Sequence, residues 1–246
     1  MKVSGAMNAE IETVMVEAEG NTLLEAMRNM ISISTQKLYL GHCRVLIIGE
    51  DIAKEGLNPI LDLMLSHHEI RIDTDLVIAK GKTAYEIIKQ KPVVSPVPSY
   101  AIMNLLNNNE RYWSQSKRNV LYQMINILDT SSSPVMPSLE IEKTDNYSTN
   151  KLSGLAVFNK DKLVGYLDNE ESKYYLFATN KVYGGEIVTK MDVDKELYVG
   201  VEILKNDTSF IHEYKDDKLE ITLKTKTKVI LDEIEKDVDY TSKAGA

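Results

Sequence analysis

The chain has 246 residues, of which 43% are hydrophobic and 27% charged, and its formal net charge is −8. This composition is typical of a globular protein with a proper core and argues against a disordered or fibrous chain. The negative charge argues against nucleic-acid binding, which would need a strong local basic patch. The best basic run, Lys224 to Lys228, is no such patch, because it alternates as a solvated strand face would. The single cysteine, Cys43, excludes an internal disulfide framework.

No stretch approaches the roughly 18 to 20 apolar residues that a membrane-spanning helix needs, and no hydrophobic signal segment opens the chain. As given, the chain is therefore expected to be soluble. Its first residues, MKVSGAM, and its last, KAGA, are typical of a trimmed chain, so we expect the natural protein to extend beyond them.

The first predicted elements are a strand and a helix. Residues 11–16 alternate between apolar and polar side chains, which predicts a half-buried strand that Gly20 ends. Thr22-Leu23-Leu24-Glu25 fits a capping box, in which a hydroxyl and a carboxylate satisfy free amides at a helix start. A helix is therefore predicted, with one face formed by Leu23, Met27, Met30 and Ile31.

Two strand–helix units follow. Residues 44–50, RVLIIGE, are a continuous apolar run of strand length, and the apolar residues from Ile52 to Leu65 then hold helical spacing. The pattern repeats with a strand in residues 71–81 and a helix in residues 83–90. This alternation predicts an α/β fold whose sheet is partly parallel and covered by helices.

Proline marks the next connections. Residues 91–99, KPVVSPVPS, break the preceding helix, because proline removes an amide and restricts the residue before it. Two further helices are predicted over residues 99–108 and 111–128. The serine- and proline-rich segment at residues 129–138 is typical of an inter-domain linker, and we place a domain boundary there.

The second half of the chain is predicted to be α+β. Residues 152–167 predict two strands around a turn, Asp168 is the predicted N-cap of an acidic helix, and strand-like runs dominate from Leu197. We therefore predict an α/β module with a mixed sheet, a smaller α+β module and a β-rich, abbreviated third segment, at residues 8–130, 137–197 and 198–246.

Gly81-Lys82-Thr83, between a predicted strand and a predicted helix, is the first candidate for chemistry. A phosphate-binding loop needs another glycine five residues before Gly81, because several flexible amides must wrap the phosphates. Leu76 stands there instead. Thr83 also begins a second capping box with Glu86, which explains its hydroxyl. The sequence favours a structural role over nucleotide binding.

The histidines and the cysteine are weaker candidates. Adjacent His67 and His68 seldom chelate one ion, and the HExxH spacing is absent, so we expect solvated turn residues at a helix end. His42 and Cys43 cannot face each other in a strand, which favours core packing. His212 stands alone in a strand-like run.

Gly184-Gly185 allows a ligand to contact the backbone, but a turn with positive φ is the simpler interpretation. Carboxylates are plentiful, yet their separation in sequence does not show which of them lie close together in space. We therefore nominate no catalytic, cofactor-binding or metal-binding residue, and we expect neither a cofactor nor enzyme activity.

Two blocks, residues 37–57 and 67–88, resemble the N-terminal module of the C-subunit lipoproteins of bacterial spore germinant receptors, the GerAC family. In that family a Leu-Tyr-Leu-x-His strand entry precedes an apolar strand, an acidic helix start and an Ala-x-x-Gly helix. The corresponding residues here are Leu38 to His42, Val45 to Ile48, Glu50-Asp51 and Ala53 to Gly56.

A third block, residues 154–185, is similar to the second module of the same family. The family pattern is a Phe-x-x-Asp-Lys-Leu-Val-Gly hairpin, an acidic helix and a Gly-Gly turn. Here these are Phe158, Asp161 to Gly165, Glu170-Glu171 and Gly184-Gly185. The resemblance covers most of residues 20–205.

The resemblance implies a non-catalytic ectodomain that works with two integral-membrane subunits, A and B, at the outer face of the spore inner membrane. It implies a role in the germination response to small nutrients, and contacts with other spore lipoproteins are a further expectation. It also implies a lipid anchor on a cysteine after a signal peptide. We find no signal peptide and no such cysteine in this sequence. Cys43 cannot serve as the anchor, because it lies too deep within a predicted strand.

Two alternatives stay open. In the first, the chain itself captures a small nutrient in a cleft between the modules near residues 129–138, since domain interfaces commonly hold ligands. In the second, it is an enzyme, either nucleotide-dependent at Lys82-Thr83 or a metal-dependent hydrolase that uses His67 or His68.

Overall fold

The computed structural model describes residues 13–34, 38–92, 95–130, 133–192 and 197–234. Its larger sheet has five strands, which are β1 (Val45–Gly49), β2 (Asp75–Ala79), β3 (Val135–Lys143), β4 (Ser148–Asn159) and β5 (Lys162–Leu167). They lie in the order β1-β2-β3-β4-β5, with β1 to β3 parallel and β3 to β5 antiparallel. The predicted mixed sheet is confirmed.

Helices cover both faces of this sheet. They include α1 (Leu23–Asn29), α2 (Glu50–Glu55), α3 (Asn58–Ser66), α4 (Ala84–Ile88), α5 (Pro98–Tyr112), α6 (Leu121–Asp129) and α7 (Asn169–Ala178). In β2, Leu76 and Ile78 join the core with α2, α3 and α6, whereas Val77 and Ala79 join the core with α4 and α5. Because both faces are covered, β2 is a continuous apolar run.

A smaller antiparallel sheet follows, with strands β6 (Glu186–Asp192), β7 (Leu197–Lys215) and β8 (Lys218–Ile234) in that order. Helix α7 packs Leu176 against Val182 and Ile203. Strand β6 pairs with the first part of β7 only, up to Glu202. Beyond it, residues 206–227 form a two-stranded extension of β7 and β8, which we term the ribbon. The predicted change to an α+β pattern is confirmed.

The five-stranded sheet crosses the boundary predicted at residues 129–138. β3 begins inside that segment and pairs with β2 through Ile78 and Ser138. One core also joins Met124, before the segment, to Phe158, after it. The segment therefore connects two parts of one core, and the three-module division at residues 8–130, 137–197 and 198–246 stays a prediction.

The central strand β3 is not predicted from the sequence, because a proline argues against a position inside a sheet. The structure places Pro137 beside a register shift between Pro137 and Leu139. The side chain of Ser138 then donates a hydrogen bond to the Ser153 carbonyl at 2.7 Å. A local irregularity thus lets a proline stand in a central strand.

Two predicted helices are wrong in extent. The helix predicted from Ile52 to Leu65 is two helices, α2 and α3, because Gly56 takes a φ of +135° between them. A Cβ at Gly56 would lie only 2.7 Å from Asp161 Oδ2. The helix predicted over residues 111–128 is interrupted between α5 and α6, where Val120 forms an isolated bridge with Asp75.

The beginning of the chain also differs from prediction. Residues 13–20 form no strand, and residues 11 and 12 of the predicted strand lie outside the described residues. Helix α1 begins after Thr22, whose Oγ1 accepts a hydrogen bond from the Glu25 amide at 3.1 Å. The Glu25 carboxylate accepts from Asn21 rather than from Thr22, so this capping box is half formed.

Other local predictions are confirmed. The hairpin predicted at residues 152–167 is β4 and β5, and Lys160 in its turn has a φ of 55°. Complete capping boxes begin α4 at Thr83 and α7 at Asp168. Within the described ranges, no helix combines the length and the apolar character that crossing a bilayer requires.

Candidate functional site

The bend after β2 binds the protein's own carboxylates. Gly81 has a φ of +62°, and its amide donates a hydrogen bond to the Glu50 carboxylate. Lys82 Nζ lies 3.2 Å from Glu86 Oε1, and Thr83 Oγ1 accepts from the Glu86 amide at 3.2 Å. The groups that a phosphate loop would offer to a nucleotide therefore have partners within the chain.

Glu50 is the centre of a polar network at the carboxyl ends of β1 and β2. Its carboxylate also accepts hydrogen bonds from Lys54 Nζ and from the Tyr166 hydroxyl, the latter at 2.9 Å. Lys80 Nζ lies 5.0 Å from the centre of the Tyr166 ring and donates to Ser153 Oγ at 3.0 Å. Ligands of open α/β sheets often bind at such strand ends. Here side chains from both halves of the sheet occupy that place.

The network changes the acidity of its members. The hydrogen bond from Lys54 is the largest cause that lowers the pKa of Glu50, and the bonds from Gly81 and Tyr166 add to it. Burial, followed by the hydrogen bond to Glu50, raises the pKa of Tyr166. Both shifts favour an ionised glutamate that accepts from a protonated tyrosine, which is a stable structural arrangement.

His67 and His68 follow α3 with their rings stacked, at a centroid distance of 5.7 Å and an interplanar angle of 7°. His68 is exposed, as predicted, but His67 is half-buried and its Nδ1 has no hydrogen-bond partner. Across the ranges that the structure describes, no three histidine, cysteine, aspartate or glutamate side chains form a group suited to a metal ion.

His42 and Cys43 precede β1 and do not lie in a strand as predicted. His42 ends a short 3-10 turn, and its ring meets that of Tyr39 edge-on at 4.8 Å. The half-buried Cys43 thiol lies 3.6 Å from the Val45 carbonyl. Burial raises the pKa of this thiol, which disfavours the thiolate that a nucleophile requires.

Gly184-Gly185 brings the segment before β6 against the end of α5. Gly185 has the expected positive φ, at +109°, and a Cβ at Gly184 would lie 2.4 Å from the Arg111 carbonyl oxygen. The Ser114 hydroxyl donates to the Gly184 carbonyl at 2.7 Å. The two glycines therefore serve a close contact within the chain.

The ribbon has one apolar and one charged face. Side chains of directly paired residues lie on the same face of a sheet, and successive residues alternate between faces. One face carries three pairs that we term the apolar ribbon face, which are Phe210↔Leu223, His212↔Ile221 and Tyr214↔Leu219. The opposite face carries charged and polar pairs, including Asp207↔Lys226, Ser209↔Lys224, Ile211↔Thr222 and Glu213↔Glu220.

The apolar ribbon face is open. The exposed fraction is 77% for Tyr214, 61% for Ile221 and 56% for Phe210. No core cluster of the described residues contains a member of this face. Contiguous exposed apolar patches commonly mark interaction sites, and an isolated two-stranded hairpin is only marginally stable in water. This face is therefore the strongest candidate for an interaction surface.

Two cavities flank α5. One, of about 590 Å³, lies between β1, α4 and α5 and is lined by Val45, Ile88 and Pro98. The other, of about 410 Å³, lies between α5 and β4, and Ile102 lines both. Their sizes are typical of small-ligand sites. The described lining of neither cavity includes a residue of the 129–138 segment, near which a ligand cleft was predicted.

Two family models match the chain. The model described as a spore germination protein N-terminal domain matches residues 2–141. The model described as spore germination B3/GerAC like, C-terminal, matches residues 153–245. Residues 142–152, between the two matches, lie around the β3–β4 connection, so the larger sheet takes strands from both family domains.

Two relatives come from Bacillus subtilis (strain 168). The chain is 26% identical to spore germination protein KC, over 88% of this chain and 57% of that protein. It is 25% identical to YfkR, over 87% of this chain and 55% of that protein. The chain thus spans little more than half the length of these curated relatives.

A solved structure shares the fold. The crystal structure of the GerBC protein matches with a TM-score of 0.61 and 19% sequence identity, and the match covers 86% of this chain and 60% of that chain. At this identity the likeness concerns the fold alone.

Proposed function

The chain belongs to the GerAC-like family of spore germination proteins, and we propose on that premise that it is the ectodomain of the C subunit of a nutrient germinant receptor. It supports spore germination by contacting other proteins, and it catalyses no reaction. Its partners are the integral-membrane A and B subunits of the same receptor and, secondarily, other spore lipoproteins. A lipid anchor holds it at the outer face of the spore inner membrane.

The open apolar ribbon face is the observation that carries this proposal. None of its six residues bears a carboxylate or an ammonium group, whereas the neighbouring Glu213 and Lys215 are charged. An apolar centre with a polar rim is the usual anatomy of a protein interface. A partner that covers this face removes apolar surface from water, which favours association. We propose that an apolar surface of a partner subunit packs against this face.

The bend after β2 supports a non-catalytic role. Gly81, Lys82 and Thr83 each interact with a carboxylate or a helix end of the same chain. A nucleotide would have to displace Glu50 and Glu86 before it could use these groups. The bend is better explained as a connection that fixes β2 to α4.

Gene replacement in a spore former tests the proposal. The variant Phe210→Thr/Ile221→Thr/Leu223→Thr removes the centre of the apolar ribbon face. Its spores should germinate poorly with the nutrients of one receptor, because the subunit no longer binds its partners, while the variant protein folds and accumulates normally.

The control changes the opposite face without altering the net charge, by Ile211→Thr/Glu220→Thr/Lys224→Thr. These spores should germinate normally. Normal germination of the apolar-face variant across amino acids, sugars and nucleosides would contradict the proposal.

A second candidate function, direct capture of a small nutrient, is favoured by the cavity of about 590 Å³ beside β1. A thermal-shift screen of the purified chain with nutrients tests it, since a ligand at about 100 times its Kd should stabilise the fold by about 2.7 kcal/mol. The variant Ser99→Trp, at the cavity wall, should abolish the shift. The absence of a shift with every nutrient would remove this candidate.

A further inference from the structure

A charged cavity of about 310 Å³ lies where the connection between α5 and α6 meets the segment between α7 and β6. Lys117, Arg118 and Tyr122 line it from one side, and Lys181 and Tyr183 line it from the other. The first three residues belong to the N-terminal family domain and the other two to the C-terminal one. The cavity therefore lies between the two family domains.

Two of the carboxylates near this cavity already have cationic partners. Asp73 pairs with Arg71 at 2.7 Å. Asp75, which is 1% exposed, binds the Arg118 guanidinium through both carboxylate oxygens. Each of these two pairs is neutral by itself. Lys117, Lys181 and Glu110 remain as the other charged groups of the cavity wall.

The two lysines are poorly compensated. Within the described part of the chain, neither ammonium group forms an ion pair within 4.0 Å. Burial and then the positive charge of Lys181 lower the pKa of Lys117, which Glu110 only partly offsets. Burial in turn raises the pKa of Glu110, which weakens it as a counter-ion. Positive charge thus gathers here in a protein whose net charge is −8.

We propose that Lys117 and Lys181 bind a small oxyanion, a carboxylate or a phosphate group, that bridges the two family domains. Two ammonium groups that face one cavity repel each other, and an oxyanion between them converts that repulsion into two charge-assisted hydrogen bonds. Tyr122 and Tyr183, on opposite sides of the cavity, carry hydroxyl groups that can serve as further donors. A cavity of about 310 Å³ is at the small end of ligand sites, which suits a small anion.

The test is a calorimetric titration of the purified chain with inorganic phosphate and, separately, with acetate. Chloride keeps the ionic strength constant at pH 7. Saturable binding of one or both anions is expected, with a Kd in the millimolar range or tighter. The double variant Lys117→Gln/Lys181→Gln should raise the Kd by about tenfold or more.

Two controls keep the outcome decisive. Lys224→Gln/Lys226→Gln, on the charged face of the ribbon, removes the same charge and should leave the Kd unchanged. Lys181→Gln alone changes an exposed side chain, keeps the fold and should weaken binding several-fold. Absence of saturable binding to the unmodified chain, or equal weakening in both double variants, would overturn the proposal.

Discussion

In strand β2 and in the ribbon alike, successive side chains point to opposite faces of a sheet, but the two regions differ in what covers those faces. In β2 all four residues from Leu76 to Ala79 are fully buried, because helices pack on both faces of the sheet. In the ribbon, Phe210, Ile221 and Tyr214 share one face and are more than half exposed. Apolar side chains in β2 stabilise this chain, whereas those of the ribbon are available to a partner. Stability and function should therefore respond to different substitutions.

The largest expected contrast is between two phenylalanines. Phe158→Ala empties a fully buried position in the core that the larger sheet shares with α2, α3 and α6, and it should lower the free energy of unfolding by about 3 to 5 kcal/mol. Phe210→Ala, on the apolar ribbon face, should cost less than about 1 kcal/mol. Urea unfolding followed by circular dichroism measures both. Equal losses would show that the ribbon belongs to the folded core of this chain.

Two glycines of the β4–β5 hairpin give the next contrast. Gly154 has a φ of +70°, and a Cβ there would lie 2.1 Å from the Leu167 carbonyl oxygen. Gly154→Ala should therefore destabilise the fold by about 2 to 4 kcal/mol. A Cβ at Gly165 meets nothing within 4 Å. Gly165→Ala should leave the urea midpoint unchanged or raise it slightly, and a similar loss at both positions would contradict this description of the hairpin.

A smaller effect is expected from substitution of Glu50, whose hydrogen bonds to Gly81 and Tyr166 join the two family domains. Glu50→Gln should cost about 1 kcal/mol at pH 7, because its hydrogen bonds then go to an uncharged and weaker acceptor. The folded protein lowers the pKa of Glu50 from its ordinary 4.5, so the ionised form is stabilised by folding. That contribution is complete above about pH 4.5 and disappears as the pH falls through the lowered pKa.

Urea unfolding between pH 3 and pH 7, roughly the range over which carboxylates titrate, checks this dependence. Wild type and Glu50→Gln should differ at neutral pH and converge in acid. Glu55→Gln makes the same chemical change at an exposed position of α2 and should show no such convergence. A difference that does not change with pH would show that Glu50 does not stabilise the fold through its charge.

The smallest effect is expected at Lys82, which is 44% exposed and pairs with Glu86, which is 40% exposed. Lys82→Ala should leave the urea midpoint unchanged, because such surface pairs contribute little. Calorimetry should also find that ATP binds the unmodified chain no better than it binds the variant. Tighter ATP binding by the unmodified chain would restore the nucleotide hypothesis for this bend.

Much of the architecture follows from local signals. The apolar run from Val45 to Ile48, the capping box at Thr83 and the hairpin around Lys160 each depend on near neighbours, and each is found as predicted. The mixed sheet follows from the alternation of strands and helices. These features could be predicted because neighbouring residues determine them.

The remaining features depend on distant parts of the chain. Strand β3 contains Pro137, and only its pairing with β2 and β4 makes it a central strand. Gly56 ends α2 with a positive φ at a place where the side chain of Asp161, far away in sequence, leaves no room for a Cβ. The residues next to Pro137 and Gly56 in the sequence do not predict these contacts.

The apolar ribbon face also depends on more than the local sequence. The run from Phe210 to Tyr214 predicts a strand, but Ile211 stands between Phe210 and His212, so the sequence alone does not define an apolar face. Such a face usually covers a core of the same chain. Only the structure shows that, among the described residues, this face belongs to none of the core clusters and stays largely exposed.

Thiol accessibility at two adjacent residues tests the central claim most directly. Ile221 lies on the apolar ribbon face and Thr222 on the opposite face. In a Cys43→Ala background, Ile221→Cys and Thr222→Cys should react equally with a maleimide in the isolated chain. In spore membranes that contain the whole receptor, the thiol at residue 221 should be protected and the thiol at residue 222 should stay reactive. Equal reactivity of the two thiols in those membranes would contradict a partner on the apolar ribbon face.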